Sequence, residues 1–125
     1  MLKKGGVLVC TDISDQMITK LHDRFKQSEF SLVPGNKTLI KAEDLGSSED
    51  RGFEVPKMAA GERLVIAGVA NNEALPFKDG QFDCYLANLS LMLVDNYKNM
   101  LAEALRVTQS GATYGFTVYG REGNF

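Results

Sequence analysis

The chain has 125 residues, 44% of them hydrophobic and 24% charged, which bounds it to one soluble-type domain with a modest core. Its 14 basic and 16 acidic residues leave a formal net charge of −2 with no basic stripe, and tryptophan is absent, so nucleic-acid binding has neither electrostatic nor stacking support. No apolar run is long enough to span a bilayer, and the two lysines near Met1 precede an apolar stretch too short for a secretory signal.

Residues 6–12 (Gly-Val-Leu-Val-Cys-Thr-Asp) form a short continuous apolar run ending in an acid. Both faces are apolar, as expected of a buried parallel strand. Ser14 or Asp15 can cap a following helix by accepting an exposed backbone N–H. Met17, Ile18, Leu21 and Phe25 then recur at helical spacing, with Lys20, Asp23, Arg24 and Lys26 on the wet side. His22, the one histidine, falls on the wet or boundary face of that helix.

No single period persists over residues 28–61, which hold Pro34-Gly35-Asn36, Gly46-Ser47-Ser48, Pro56 and Gly61. The stretch reads as an enlarged connection between two strands, with helical turns near 40–45 and 56–60 and with Phe53 and Val55 pinning it down. Residues 63–69 (Arg-Leu-Val-Ile-Ala-Gly-Val) form a second apolar strand, and Cys84–Leu89 a third. Asp79-Gly80 is a turn signal between them. Tyr97, Met100, Leu101, Ala104, Leu105 and Val107 predict a helix over 96–108, capped by Asp95 or Asn96 and stopped by Gly111 in the left-handed conformation. Residues 112–119 alternate and are rich in β-branched and aromatic types, predicting a fourth strand. Cys10 and Cys84 sit apart in apolar contexts without CxxC spacing, so no metal site is expected, and buried thiols in a reducing, cytoplasmic setting are.

Alternating strands and helices imply an α/β fold with a mostly parallel sheet and right-handed crossovers. Ligands in such sheets bind beyond the carboxyl ends of the strands, and Asp12, Asn71 and Asn88 all fall near those ends. An acid at the end of a buried strand can accept hydrogen bonds from two ribose hydroxyls; it can equally be a turn or capping aspartate. Met17 fits core packing as well as a ligand border. Asn71-Asn72 read either as a turn or as amide groups facing a ligand.

Several stretches together resemble a class I S-adenosylmethionine-dependent methyltransferase of the small-molecule and lipid type. They are Thr11-Asp12-Ile13-Ser14-Asp15-Gln16-Met17, then Glu73-Ala74-Leu75-Pro76-Phe77 with Phe82-Asp83, and Glu103-Ala104-Leu105-Arg106-Val107 running to Gly111. An NAD-binding domain shares the acid but not the Leu-Pro-Phe and Phe-Asp pairing. The resemblance implies a Rossmann-like methyltransferase fold, S-adenosylmethionine as cofactor and a small-molecule methyl acceptor. It implies that Asp12 holds the ribose, that Ile13 and Met17 border the adenine, that Asn71 and Asn72 stand at the adenine edge, and that Asn88 and Leu89 face the cofactor near its methyl group. Asn71 stands where the family commonly has an acid, Met92-Leu93 where a histidine often appears, and no catalytic base is apparent.

Residues 1–125 read as a single methyltransferase-like domain that is truncated. The family's first strand and glycine-rich turn precede the segment with which this sequence starts, and further strands follow residue 120. The sheet is therefore expected to be incomplete between the strand ending at Asp12 and the strand starting near Cys84. Three outcomes are open: the flanking strands pair directly, a homo-oligomer or partner chain completes the sheet, or these residues belong to a larger protein. Methyl transfer and a catalytically inactive binding or interaction module are the two functional expectations.

Overall fold

The structure, a computed structural model, describes residues 5–27, 36–40 and 51–120. The elements in chain order are β1 (Val7–Asp12), α1 (Asp15–Gln27), β2 (Asn36–Ile40), β3 (Arg63–Val69), β4 (Phe82–Asn88), α2 (Tyr97–Val107) and β5 (Thr108–Thr117). Every strand pairing among the described residues is parallel. β3 is central in a sheet ordered β1-β3-β2, and β4 pairs with β5 in a second sheet. β1 lies on β3 from Val7 opposite Leu64 to Asp12 opposite Val69. The expected α/β architecture with a mostly parallel sheet is present, and it is split into two parts: β1 and β4 do not pair with each other.

β3 is apolar on both faces because it is covered on both. Leu64, Val65, Ile66 and Ala67 are all buried. The Ser14 carbonyl accepts the Ile18 N–H and its hydroxyl accepts the Met17 N–H, which starts α1. Asp15 in the first turn and Arg24 and Lys26 in the last match the helix dipole. Ile18 is buried, and Leu21 and Phe25 are half-buried beside it. Met17, expected on that same face, is instead 52% exposed.

α2 buries Met100, Glu103, Ala104 and Val107, which recur at three- and four-residue spacing along one face. Asn96 caps it, its side-chain oxygen accepting the Lys98 N–H at 3.0 Å. The helix runs into β5 with no loop, since Thr108 is both the C-cap and the first strand residue. Gly111 does adopt a positive φ of 81°, but inside β5 and not as the stop of α2. It lies in a bulge, where β5 advances from Thr108 to Thr113 while β4 advances from Phe82 to Cys84. The helix is closed instead by the Asp79-Gly80 turn: Gly80 and Gln81 donate their N–H groups to the Arg106 and Val107 carbonyls.

Leu64, Ile66, Ala70, Leu75, Phe77 and Val107 form a core cluster, with Val7, Val9, Phe82 and Tyr85 packed against it. It lies beneath both sheets and joins them. Phe77 is its pivot, meeting Phe53 and Phe82 edge-on with ring centroids 5.8 and 5.1 Å apart. Leu75-Pro76-Phe77 thus packs, and Phe53 pins the segment before β3 as expected. β2 was not expected; it lies within the 28–61 connection. Residues 56–60 form no helical turn, and the turn expected near 40–45 falls, beyond Ile40, outside the described residues.

Candidate functional site

Asp12 is the last residue of β1. Its carbonyl accepts the Ala70 N–H at 3.0 Å, which ties the tip of β1 to the tip of β3. Its carboxylate Oδ1 accepts the Ser14 N–H at 2.8 Å and so is fixed at the entrance to α1. Beyond β3, Asn71 Oδ1 accepts the Glu73 N–H at 2.9 Å, and the Ala74 N–H bonds the Asn71 carbonyl. Asn71-Asn72 therefore occupies a tight turn. Glu73 then reaches the start of α2, where its two oxygens accept the Asp95 and Asn96 N–H groups at 3.0 and 3.1 Å. A carboxylate there satisfies donors that a helix leaves unpaired at its N-terminal end.

Two cavities open at these tips. The smaller, about 220 Å³, is bounded by Thr11, Asp12 and Ile13, by residues 70–73, and by Ser90 with Leu93, Val94 and Asp95. The larger, about 520 Å³, starts at the same place and runs down between β1 and β4 over Leu75, Phe77 and Val107. Thr11, Asp12, Asn72 and Ser90 border both. The C-terminal ends of β1, β3 and β4 accordingly face one side of the molecule.

Of the residues singled out from the sequence, Asp12, Ile13, Asn71 and Asn72 come together around the smaller cavity. Asn88 faces the larger one, with its side-chain oxygen accepting the Thr117 hydroxyl at 2.5 Å. Met17 and Leu89 border neither cavity. Leu89 has a positive φ of 53°, and its N–H is held by the Thr117 carbonyl and hydroxyl. Thr11, Glu73 and Asp95 line the smaller cavity and were not singled out. Glu73 was legible only as the start of a packing segment, and Asp95 only as a cap.

The smaller cavity carries three carboxylates, Asp12, Glu73 and Asp95, and no Lys, Arg or His side chain among its described residues. Its field favours a cationic or neutral polar ligand over a phosphate. In the larger cavity, burial raises the Cys10 thiol above its ordinary pKa, and burial followed by the nearby Glu103 charge raises the Tyr85 phenol. Neither is an activated nucleophile at neutral pH. Among the described residues no group of three His, Cys, Asp or Glu side chains is placed to hold a metal ion.

Known proteins place this chain by similarity. It matches the family described as "Methyltransferase domain" over residues 49–116, more than half of its length. That stretch includes Asn71, Asn72, Asn88 and Leu89; Asp12, Ile13 and Met17 precede it. The uncharacterised protein MJ1123 of Methanocaldococcus jannaschii is 46% identical over 62 residues, which is 50% of this chain and 30% of that protein. The chain therefore spans less than a third of that relative's length. No solved structure matches. Through the Leu75-Pro76-Phe77 segment, the strands that flank it and the helix that clamps it, the chain belongs to the class I S-adenosylmethionine-dependent methyltransferase family.

Proposed function

We propose that this chain holds the nucleoside end of S-adenosylmethionine across the tips of β1 and β3, for methyl transfer to a small molecule as part of a larger or assembled protein. The observation that carries the reading is the meeting of Asp12, Asn71 and Asn72 around one cavity at the carboxyl ends of parallel strands. The Ser14 N–H fixes one Asp12 oxygen, and the carboxylate retains acceptor capacity for a pair of ribose hydroxyls. The asparagine amides offer donors and acceptors to a base edge, and Ile13, Leu93 and Val94 offer apolar contact to its faces. At about 220 Å³ the cavity is smaller than the roughly 300–1,000 Å³ of sites for whole drug-sized ligands, which suits a nucleoside fragment. The acidic surroundings suit a cationic cofactor and disfavour a dinucleotide's pyrophosphate.

When bound, the cofactor supplies a methyl group on a sulfonium sulfur, open to in-line displacement. The protein's part is then to position the nucleophile and exclude water. Asn88, held by Thr117, is a polar side chain that borders the larger cavity at the tip of β4 and is assigned to orient the acceptor. Two unpaired cysteines and a cytoplasmic setting are part of the same reading; among the described residues no helix is long and apolar enough to cross a membrane. The second reading, an inactive methyltransferase-like module, is favoured by the open strand edges of β1 and β4 at the centre of the fold.

Calorimetric titration with S-adenosylhomocysteine tests the assignment. Binding is expected, with at least a tenfold loss in Asp12→Ala, the scale of one charge-assisted hydrogen bond. Folded protein that gives no heat at millimolar ligand, or an unchanged affinity in Asp12→Ala, would overturn it. Binding without methyl transfer to any acceptor supports the inactive module.

A further inference from the structure

A strained residue ends β4. Leu89 follows Asn88 with φ 53°, a left-handed conformation that a bulky L side chain rarely adopts. Its N–H is held twice by Thr117 of β5, by the carbonyl at 3.1 Å and by the hydroxyl at 2.9 Å. Backbone strain held in place this firmly by its neighbours is a mark of sites where a side chain has to be aimed. The side chain aimed here is that of Asn88, which stands opposite Thr117 in the β4–β5 register.

The hydrogens at this tip have one consistent order. The Thr117 hydroxyl accepts the Leu89 N–H, so its own hydrogen is left to donate, and it goes to the Asn88 side-chain oxygen at 2.5 Å. Were the Asn88 amide turned over, its nitrogen and the Leu89 N–H would both point donors at Thr117, and the hydroxyl hydrogen would lose this acceptor. Asn88 Oδ1 is thereby turned to β5, none of whose residues borders the larger cavity, whereas Asn88 itself does. Asn88 Nδ2 is the other branch of the same planar group, and it carries two donors and no lone pair to offer. Ser90, which borders that cavity as well, donates its hydroxyl hydrogen to the Asn88 carbonyl at 3.1 Å. The Asn88 amide is therefore the hydrogen donor that the tip of β4 turns to the cavity.

We infer that Thr117 is a positioning residue that fixes Asn88 as a hydrogen donor, and that the methyl-accepting substrate presents a lone pair to it. The inference rests on the assignment of Asn88 to that substrate made above. An N–H donated to the attacking atom itself would withdraw the electron pair that forms the new bond to carbon. The group held by Asn88 is accordingly an anchor beside the nucleophile: a carbonyl, a carboxylate or an unprotonated ring nitrogen. A substrate offering only an N–H at that place is rejected, because it sets donor against donor.

Nuclear magnetic resonance of the intact chain, read at the Asn88 side-chain amide signals, tests this with two neutral bicyclic probes. Quinoline offers a ring-nitrogen lone pair and no donor; indole offers a ring N–H and no lone pair to accept with. At millimolar concentration quinoline is expected to shift the Asn88 amide protons saturably. Its affinity read at that signal should exceed that of indole roughly fivefold or more, the scale of one neutral hydrogen bond. Thr117 is exposed, and Thr117→Val keeps its β-branched shape while removing the hydroxyl. That variant should erase the preference, because the amide is then free to turn over, and Thr117→Ser should keep it. A merely structural Thr117 would lower stability without altering the choice between the probes. Equal response to both probes, preference for indole, response to neither, or a preference that survives in Thr117→Val overturns the inference. Calorimetry with S-adenosylhomocysteine reads the cofactor assignment separately. Cofactor binding without the probe preference removes this inference alone; the preference without cofactor binding supports the Thr117–Asn88 arrangement and overturns the cofactor reading.

Discussion

Glu103 and Arg106, one turn apart on α2, grip each other twice: Nε donates to Oε1 at 2.8 Å and Nη2 donates to Oε2 at 2.7 Å. The remaining guanidinium donors go to the Phe77 carbonyl, the Leu75 carbonyl and Asp79, and Glu103 accepts the Leu75 N–H in return. All five guanidinium N–H groups are used, in the fixed fork that only arginine presents. The pair therefore clamps Leu75-Pro76-Phe77 to the helix and holds Phe77 in the core. Arg106→Met should cost about 3–5 kcal/mol, because it leaves a buried carboxylate without its partner. Urea unfolding measures this; a loss below about 1 kcal/mol, the scale of one ordinary hydrogen bond, would refute the clamp.

Acid should loosen the same clamp. Desolvation pushes the Glu103 carboxyl up, but the Arg106 and Leu75 hydrogen bonds and the Arg106 and Arg51 charges outweigh it, and the group ends below its ordinary value. The folded state then binds fewer protons than the unfolded state as the pH falls from the ordinary glutamate range toward the lowered value. Stability contributed by Glu103 is full above that range and is lost as acid protonates the folded form. Unfolding free energy should decline below about pH 4.5, near the unperturbed glutamate value, and Glu103→Gln should flatten that part of the profile. An unaltered acid slope in Glu103→Gln would place the acid sensitivity elsewhere.

Two glycines of β5 should respond differently to alanine. Gly111 has φ 81° with nothing near a built Cβ, so Gly111→Ala is strained by backbone conformation alone, at about 1–2 kcal/mol. At Gly115 a Cβ would meet Leu86 Cδ2 at 2.7 Å, but that atom ends a side chain 76% exposed and free to swing away. Gly115→Ala should stay within about 0.5 kcal/mol of the parent in thermal or urea unfolding. The reverse order would show that the bulge at Gly111 is not as described.

How much was legible depended on whether a residue's partner lay nearby in the chain. β1 and β3 announce themselves because unbroken apolar runs bounded by turns have few other uses, and Asp12 and Asn71 fall at their ends for the same reason. β2 gave no such signal. Asn36-Lys37-Thr38 is polar, and only its register opposite Arg63, Leu64 and Val65 makes it a strand. The positive φ of Gly111 could be anticipated from its place after a helix, but the direct passage of α2 into β5 depends on pairing of Thr108 with Phe82, 26 positions earlier. The spacing of Glu103 and Arg106 is visible in one dimension; the Leu75 N–H that Glu103 accepts and the Leu75 and Phe77 carbonyls to which Arg106 donates, about 30 positions back, are not. At the tips, Ser90 and Asp95 join Asp12 only because Glu73 draws the chain before α2 toward the Asn71 turn.

The seamless passage from α2 into β5 has a mechanical consequence. Thr108 anchors its hydroxyl on the Ala104 carbonyl at 2.7 Å and also bonds the Tyr114 hydroxyl, so the joint is braced on both sides. Helix and strand then behave as one stiff lever, with the guanidinium of Arg106 near its elbow. A push on the β4–β5 pair would be delivered to the floor beneath the cleft with no slack to absorb it.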